Sequence, residues 1–194
     1  MRARLESVDQ TRLRITEAAM RLHEEVGPAA TTVSAIADLA GVTRLTVYRH
    51  FPDDDELIAA CSAHWRALHP RPDLTAWEAV EDPVERVRLA LGETYRWARE
   101  AAPMLSMIYR DLDQLPAFVA GALAEDERTR VRVLARGFRF RGRAARRVET
   151  ALAHALDVRT WESLCGDDGL RDAEAVDLMT GLVAAAGAGG WPPH

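Results

Sequence analysis

The sequence predicts an all-α chain, a small three-helix unit at the N-terminus followed by a larger helical body. Apolar residues recur at three- and four-residue intervals along most of the 194 positions. No alternating apolar and polar run is long enough to support a strand. Gly and Pro stand at separated positions, where they close helical segments. An apolar share of 48% is enough for a real core, and 28% charged residues is ordinary for a globular chain.

Leu13, Ala18, Leu22 and Val26, widened by Ile15 and Ala19, form an apolar stripe that predicts a first helix from Val8 to Val26, closed by Gly27-Pro28. The segment TTVSAIADLAG predicts a short helix. Thr32 is its cap, Val33, Ile36, Ala37 and Ala40 face inward, and Gly41 ends it. A second short helix runs through Thr46 and Tyr48 to Phe51 and stops at Pro52. Asp53 opens a fourth helix, ELIAACSAHWRAL, and Asp54, Asp55 and Glu56 sit where the unpaired amides of its first turn favour negative charge. HPRPDLTAW reads as a link. Helices are then expected from Pro83 to Ala101, Pro103 to Asp111, Pro116 to Arg136, Arg143 to Leu164, and Asp172 to Ala186. The end, AAAGAGGWPPH, reads as a fraying tail.

Charge is unevenly placed. The net is −5, yet residues 1–51 carry seven arginines against six acids, while the other 143 carry eighteen against twenty-four. That asymmetry suits a small nucleic-acid-facing head on an acidic body. No run approaches the ~20 apolar residues of a membrane span, and the N-terminus has no apolar signal core, so a cytoplasmic protein without membrane attachment is expected. Cys61 and Cys165 are too far apart in sequence to suggest a disulfide framework. The chain has no phosphate loop, nucleophile elbow, dinucleotide turn or H-E-x-x-H, which argues against an enzyme and against a cofactor. Cys61, His64 and His69 lack a fourth ligand, so no metal is expected.

Two short helices joined by Gly41-Val42-Thr43 are a helix-turn-helix candidate. A helix ~10–12 Å across fits the major groove of DNA. Thr43, Arg44, Thr46, Arg49 and His50 are too many hydrogen-bonding side chains for a helix packed on all sides, whereas Val42, Val47 and Phe51 suit an inward face.

The stretch TTVSAIADLAGVTRLTVYRHFPDDDEL resembles the DNA-binding domain of the tetracycline-repressor (TetR) family of bacterial transcriptional regulators, over about residues 10–60. The resemblance implies a homodimer that binds a palindromic double-stranded DNA operator, a repressor-like role, and release by a small-molecule effector. A rival expectation is a DNA-binding dimer whose C-terminal part only dimerises. The division expected is 1–53 for the DNA-binding domain and 54–194 for effector binding and dimerisation. By the resemblance, Thr32 and Tyr48 contact phosphates, Thr43, Arg44, Leu45 and Thr46 lie at or in the groove, and Arg49 and His50 lie at its edge. Arg44 is the candidate for base reading. Two positions depart from the family: Leu45 replaces a residue that is usually small, and Asp54 stands where Lys is frequent.

Outside this segment, Trp65, Tyr95, Met107 and Phe118 are candidates for an apolar effector pocket, with Arg99, Arg110 and Asp111 as polar anchors. Ala151, Ala155, Gly181 and Ala185 would let helices of two copies approach closely. Nine arginines between Arg128 and Arg147, with no acid among them, form either a solvated face or an anion-binding surface.

Overall fold

The computed structural model describes residues 2–166 and 169–188. Among these residues ten α-helices and one short 3-10 turn are joined by loops: α1 Arg2–Glu25, α2 Val33–Ala40, α3 Arg44–His50, α4 Asp54–Leu68, α5 Leu74–Glu78, α6 Pro83–Asp111, α7 Ala117–Ala135, α8 Gly142–Leu156, α9 Val158–Cys165 and α10 Asp172–Ala188. The last part of the expected tail, 189–194, lies outside the described residues.

The chain forms two compact units, one of Met1–Pro70 with Pro103–Val119, the other of Arg71–Ala102 with Ala120–His194. In the first, α1 packs on α2 and α4, and α2 packs on α3. Ile15, Ala18 and Ala19 of α1, Ile36, Ala37 and Ala40 of α2, Val47 of α3 with Phe51 just past its end, and Leu57 and Cys61 of α4 form one buried cluster, with Leu22, Val33 and Val42 partly buried against it. In the second, α8 packs along α10, and α9 touches both. Its buried residues include Trp77, Val87, Leu91, Tyr95, Leu134, Val148, Leu152, Ala155 and Val183.

Several elements differ from expectation. The first helix starts at Arg2 rather than Val8: Ser7, a residue type that often caps a helix, lies inside it, and no Gly or Pro interrupts the segment. Its buried stripe is Ile15, Ala18 and Ala19, with Leu22 partly buried beside it. Leu13 and Val26, which share the same spacing, are exposed at 44% and 45%, so the stripe is turned toward Ile15. The link HPRPDLTAW contains α5, nucleated by Asp73, whose carboxylate accepts from the Thr75 amide at 2.9 Å. Pro83–Ala101 and Pro103–Asp111 are one helix. An internal proline costs about 3 kcal/mol, but Ala101, Ala102, Met104 and Leu105 on either side of Pro103 are all buried, and that packing offsets the lost bond. Conversely, the segment Arg143–Leu164 is broken at Asp157, which takes an extended backbone and caps α9 by accepting from the Arg159 amide at 2.8 Å.

His23, in the last turn of α1, is buried, and burial lowers its pKa to about 4 from an ordinary 6.5. The folded state therefore favours the neutral ring. The stability contribution is complete above pH 6.5 and is lost as pH falls from there toward 4, where the unfolded chain binds a proton that the folded one refuses. The melting temperature of the full chain should drop across that interval. In His23→Gln the drop should be smaller; an identical pH profile would contradict the assignment.

Candidate nucleic-acid interface

The site is built from the second and third helices and the turn between them. Thr32 caps α2 by accepting from the Ala35 amide at 3.2 Å. Gly41 closes α2 in the left-handed region, φ 64°, where its N–H bonds the carbonyls of Ala37 and Asp38 and the Val42 N–H bonds Ala37 at 3.0 Å. A left-handed residue suits Gly because a β-carbon there costs about 1–2 kcal/mol. Two residues later Thr43 caps α3, its hydroxyl oxygen accepting from the Thr46 amide at 3.2 Å and lying 2.9 Å from the Thr46 hydroxyl.

Only Val47 of α3 is buried, followed at its end by the equally buried Phe51. Arg44, Leu45, Tyr48 and Arg49 are exposed, and Thr46 and His50 are half-buried. Leu45 stands 77% exposed and Tyr48 45%, an unusual display for large apolar side chains on a helix this short. Thr43 is exposed as well, and Thr32 lies at the surface end of α2. All eight sequence-derived candidates thus lie on α2, α3 and the turn between them, and none belongs to the core. The His50 ring is held below its ordinary pKa by desolvation, helped by the neighbouring Arg49 and Arg12 guanidiniums.

Beyond Phe51, Asp53 caps α4 by accepting from the Glu56 amide at 2.8 Å, and Asp54, Asp55 and Glu56 form its first turn, all exposed. The acidic run therefore starts α4 and is no part of α3. Each such charge contributes roughly 0.3–1 kcal/mol to that helix.

Two contacts in this unit were not apparent from the sequence. Arg12 of α1 donates through Nη1 to the His50 carbonyl at the end of α3, with its guanidinium carbon 4.0 Å from the centre of the Phe51 ring. Arg12 lies 38 positions before His50, beyond the reach of any local pattern. The second contact comes from the end of α6. The buried Asp111 carboxylate accepts from the Ala29 amide at 3.0 Å and from Arg110 Nε at 2.7 Å, while Arg110 Nη2 donates to the Val26 carbonyl at 2.8 Å. The hydrogen bonds from Arg110 hold the Asp111 carboxyl below the usual carboxylate range. Between Val26 and Ala29 lies Gly27, φ 92°, where a β-carbon would overlap the Arg110 guanidinium and the Asp111 carboxylate.

The proposed pocket residues are divided between the two units. In the first, Trp65 is buried and stacks on His69 at 4.7 Å, Met107 is half-buried, Phe118 is 44% exposed, and Arg110 and Asp111 engage the α1–α2 turn. In the second, Tyr95 is fully buried and donates its hydroxyl to the Ala155 carbonyl at 3.0 Å. There Arg99 is exposed and pairs with Asp172 at 2.7 Å. Cys61 donates to the Thr16 carbonyl, and His64 lies 3.9 Å from Glu17. Of the nine clustered arginines, Arg128 and Arg132 face Glu125, Arg130 pairs with Asp126 and Arg136 with Glu78, while Arg139, Arg141, Arg143, Arg146 and Arg147 are exposed.

This arrangement defines an all-helical protein whose first unit carries a helix-turn-helix with a polar, outward-facing second helix. Residues 15–61 match the tetR family of bacterial regulatory proteins, about a quarter of the chain. Over 55 residues it is 47% identical to the HTH-type transcriptional regulator TtgR of Pseudomonas putida, a match covering 28% of this chain and 26% of that protein. The match thus spans about a quarter of the relative's length. The fold as a whole is similar to a TetR-like transcriptional regulator from Rhodococcus sp. RHA1, with TM-score 0.63 and 20% identity over 93% of this chain and 97% of that one. It is also similar to a TetR transcription regulator from Haloarcula marismortui ATCC 43049, with TM-score 0.59 and 19% identity over 93% of this chain and 97% of that one.

The Arg110–Asp111 clasp has a measurable weight. Asp111→Ala leaves the Ala29 amide unpaired, which should cost about 1–3 kcal/mol in urea unfolding. Gly27→Ala should be at least as damaging, since both the backbone angle and the clasp oppose the new methyl. A loss under about half a kcal/mol in both would show that the clasp is not a structural tie.

Proposed function

We propose that the chain is a transcriptional regulator that binds a palindromic DNA operator as a homodimer, acts as a repressor, and is released by a small-molecule effector. The observation that carries the reading is the exposed face of α3, where Arg44, Leu45, Tyr48 and Arg49 project outward from a helix anchored by Val47 and Phe51. A helix presented this way fits the major groove, with the preceding helix across the backbone.

The roles follow from side-chain chemistry. Arg44 at the start of α3 can bond a guanine edge with two parallel donors. Leu45 offers an apolar contact to a thymine methyl. Thr32 and Tyr48 supply hydroxyls for phosphates, which fix register rather than sequence, while Thr43 and Thr46 lie at or in the groove and Arg49 and His50 at its edge. The relative TtgR, an HTH-type transcriptional regulator, matches this chain over a stretch of domain length.

Dimerisation is assigned to the second unit. On α10, Leu178 and Leu182 are 53% and 46% exposed, with exposed Gly181 and Ala185 between and beyond them, an apolar face at helical spacing. Ala155 instead packs inside the unit, fully buried. Two copies joined there would present two reading helices to half-sites about one DNA turn (~34–36 Å) apart. The effector role rests on the resemblance alone; Trp65, Tyr95, Arg99, Met107, Arg110, Asp111 and Phe118 remain its candidates. A thermal-shift screen for small molecules that both stabilise the chain and release DNA tests it, and a screen yielding none favours dimerisation alone.

The reading is tested on duplexes selected from a random pool by the unsubstituted chain. Arg44→Ala should cost about 1–3 kcal/mol and relax preference at one base pair in each half-site. Tyr48→Ala should weaken all duplexes alike. Retention unaffected by both substitutions would overturn the assignment of α3. Asp54→Lys, which replaces an acid beside the reading helix with a cation, should tighten binding at fixed salt; equal or weaker binding would show that this acid does not oppose phosphate.

A further inference from the structure

We propose that Arg12 is a positioning residue for the reading helix: it fixes the C-terminal end of α3 and so sets how Arg44 and Leu45 meet the bases. The inference rests on the reading of α3 as the groove helix. It assigns function to a residue outside the turn, on α1.

The geometry has three parts. First, α3 spans seven residues from Arg44 to His50, and the last carbonyls of any helix lack partners inside it. The Arg12 guanidinium supplies one, donating to the His50 carbonyl. Second, the same guanidinium lies over the Phe51 ring, its carbon 4.0 Å from the centroid, and Phe51 is buried in the shared cluster. The cation is therefore held between the end of α3 and the residue that anchors it. Third, Arg12 is itself fixed. It lies one turn before the buried Ile15, and its carbonyl accepts from the hydroxyl of buried Thr16 at 3.1 Å. A cation on a helix C-terminus is also favoured by the helix dipole.

At the other end, Thr43 caps α3 with its own side chain. The N-terminal tie is local and the C-terminal tie comes from another helix. With Arg12 removed, α3 keeps Val47 and its cap but can swing about that end. Base contacts depend on angle far more than phosphate contacts do, so the loss should fall on discrimination. The rival role, a direct phosphate contact by Arg12, predicts the opposite: a uniform loss across sequences, and a reduction of about 0.9 in the slope of log affinity against log salt.

The experiment compares the full chain with Arg12→Gln and Arg12→Lys, on one duplex selected by the unsubstituted chain and one unrelated duplex, at several salt concentrations. Amide hydrogen exchange of Val47, Tyr48 and Phe51 is measured without DNA. For Arg12→Gln the expected result is a fall of about tenfold in the ratio of selected to unrelated affinity, an unchanged salt slope, and faster exchange in α3; tenfold corresponds to about 1.4 kcal/mol. Arg12→Lys keeps charge and one donor, and should recover part of the ratio. If Arg12→Gln does not fold, Arg12→Lys decides alone, its ratio expected below that of the unsubstituted chain. An unchanged ratio, or a slope reduced by about 0.9, overturns the proposal. If the unsubstituted chain selects no duplex, the reading of α3 falls and this inference with it. Unchanged exchange in a chain that does select DNA sinks the inference alone.

Discussion

A seven-residue helix that must show its polar side to solvent cannot stabilise itself, and the first unit is organised around that constraint. Isolated helices shorter than ~12–15 residues are marginal in water even with favourable sequences. In α3 only Val47 points into the core. Full burial of a Val or Phe side chain contributes about 1.5–3 kcal/mol, so Val47 and Phe51 hold the helix down. They do not fix rotation about the line between them. That falls to the ends, where Thr43 bonds the Thr46 amide and Arg12 bonds the His50 carbonyl. The outer face of α3 is left free because the fastenings lie under it and at its tips.

The same logic places the acids. Asp53, Asp54, Asp55 and Glu56 follow the cationic end of α3 within a few residues, yet they belong to another helix with its own exposed amides. The extended Phe51 and the following Pro52 separate the two. Negative charge strengthens the start of α4, and α4 contributes Leu57 and Cys61 to the cluster on which Val47 rests. On the proposed reading of α3, support for that helix and attraction to phosphate make opposite demands on Asp54. This chain carries the residue that serves support.

Much of this unit was legible in the sequence because its signals are local. A cap acts over two or three residues, as Thr32, Thr43 and Asp53 do, and a left-handed Gly closes a helix where Gly41 stands. Local signals also misled. Leu13 and Val26 fit the helical period but face solvent, since a period fixes spacing and leaves the phase to packing with α2 and α4. Pro103 looked like a stop, and burial on both sides overrode it. Asp157 looked like the interior of a helix and is a cap. What no local rule could supply were the long ties, 38 positions from Arg12 to His50 and 82 from Ala29 to Asp111. A charged side chain's partner is set by the tertiary fold: Arg110 and Asp111 are bonded to a turn far earlier in the chain.

These ties meet on a single element. In its first half α1 reaches the end of α3 through Arg12; just past its end, the Val26–Ala29 turn is held by Arg110 and Asp111 from the last turn of α6. Between them, Ile15, Ala18 and Ala19 lie inside the cluster formed with α2 and α4. A close-packed interior of this kind moves as a body rather than yielding gradually. At the Gly27 turn, φ 92°, a β-carbon would overlap the side-chain ends of Arg110 and Asp111. The polar contacts that sequence patterns could not supply are thus the ones that tie α3 and the α1–α2 turn to the rest of the unit.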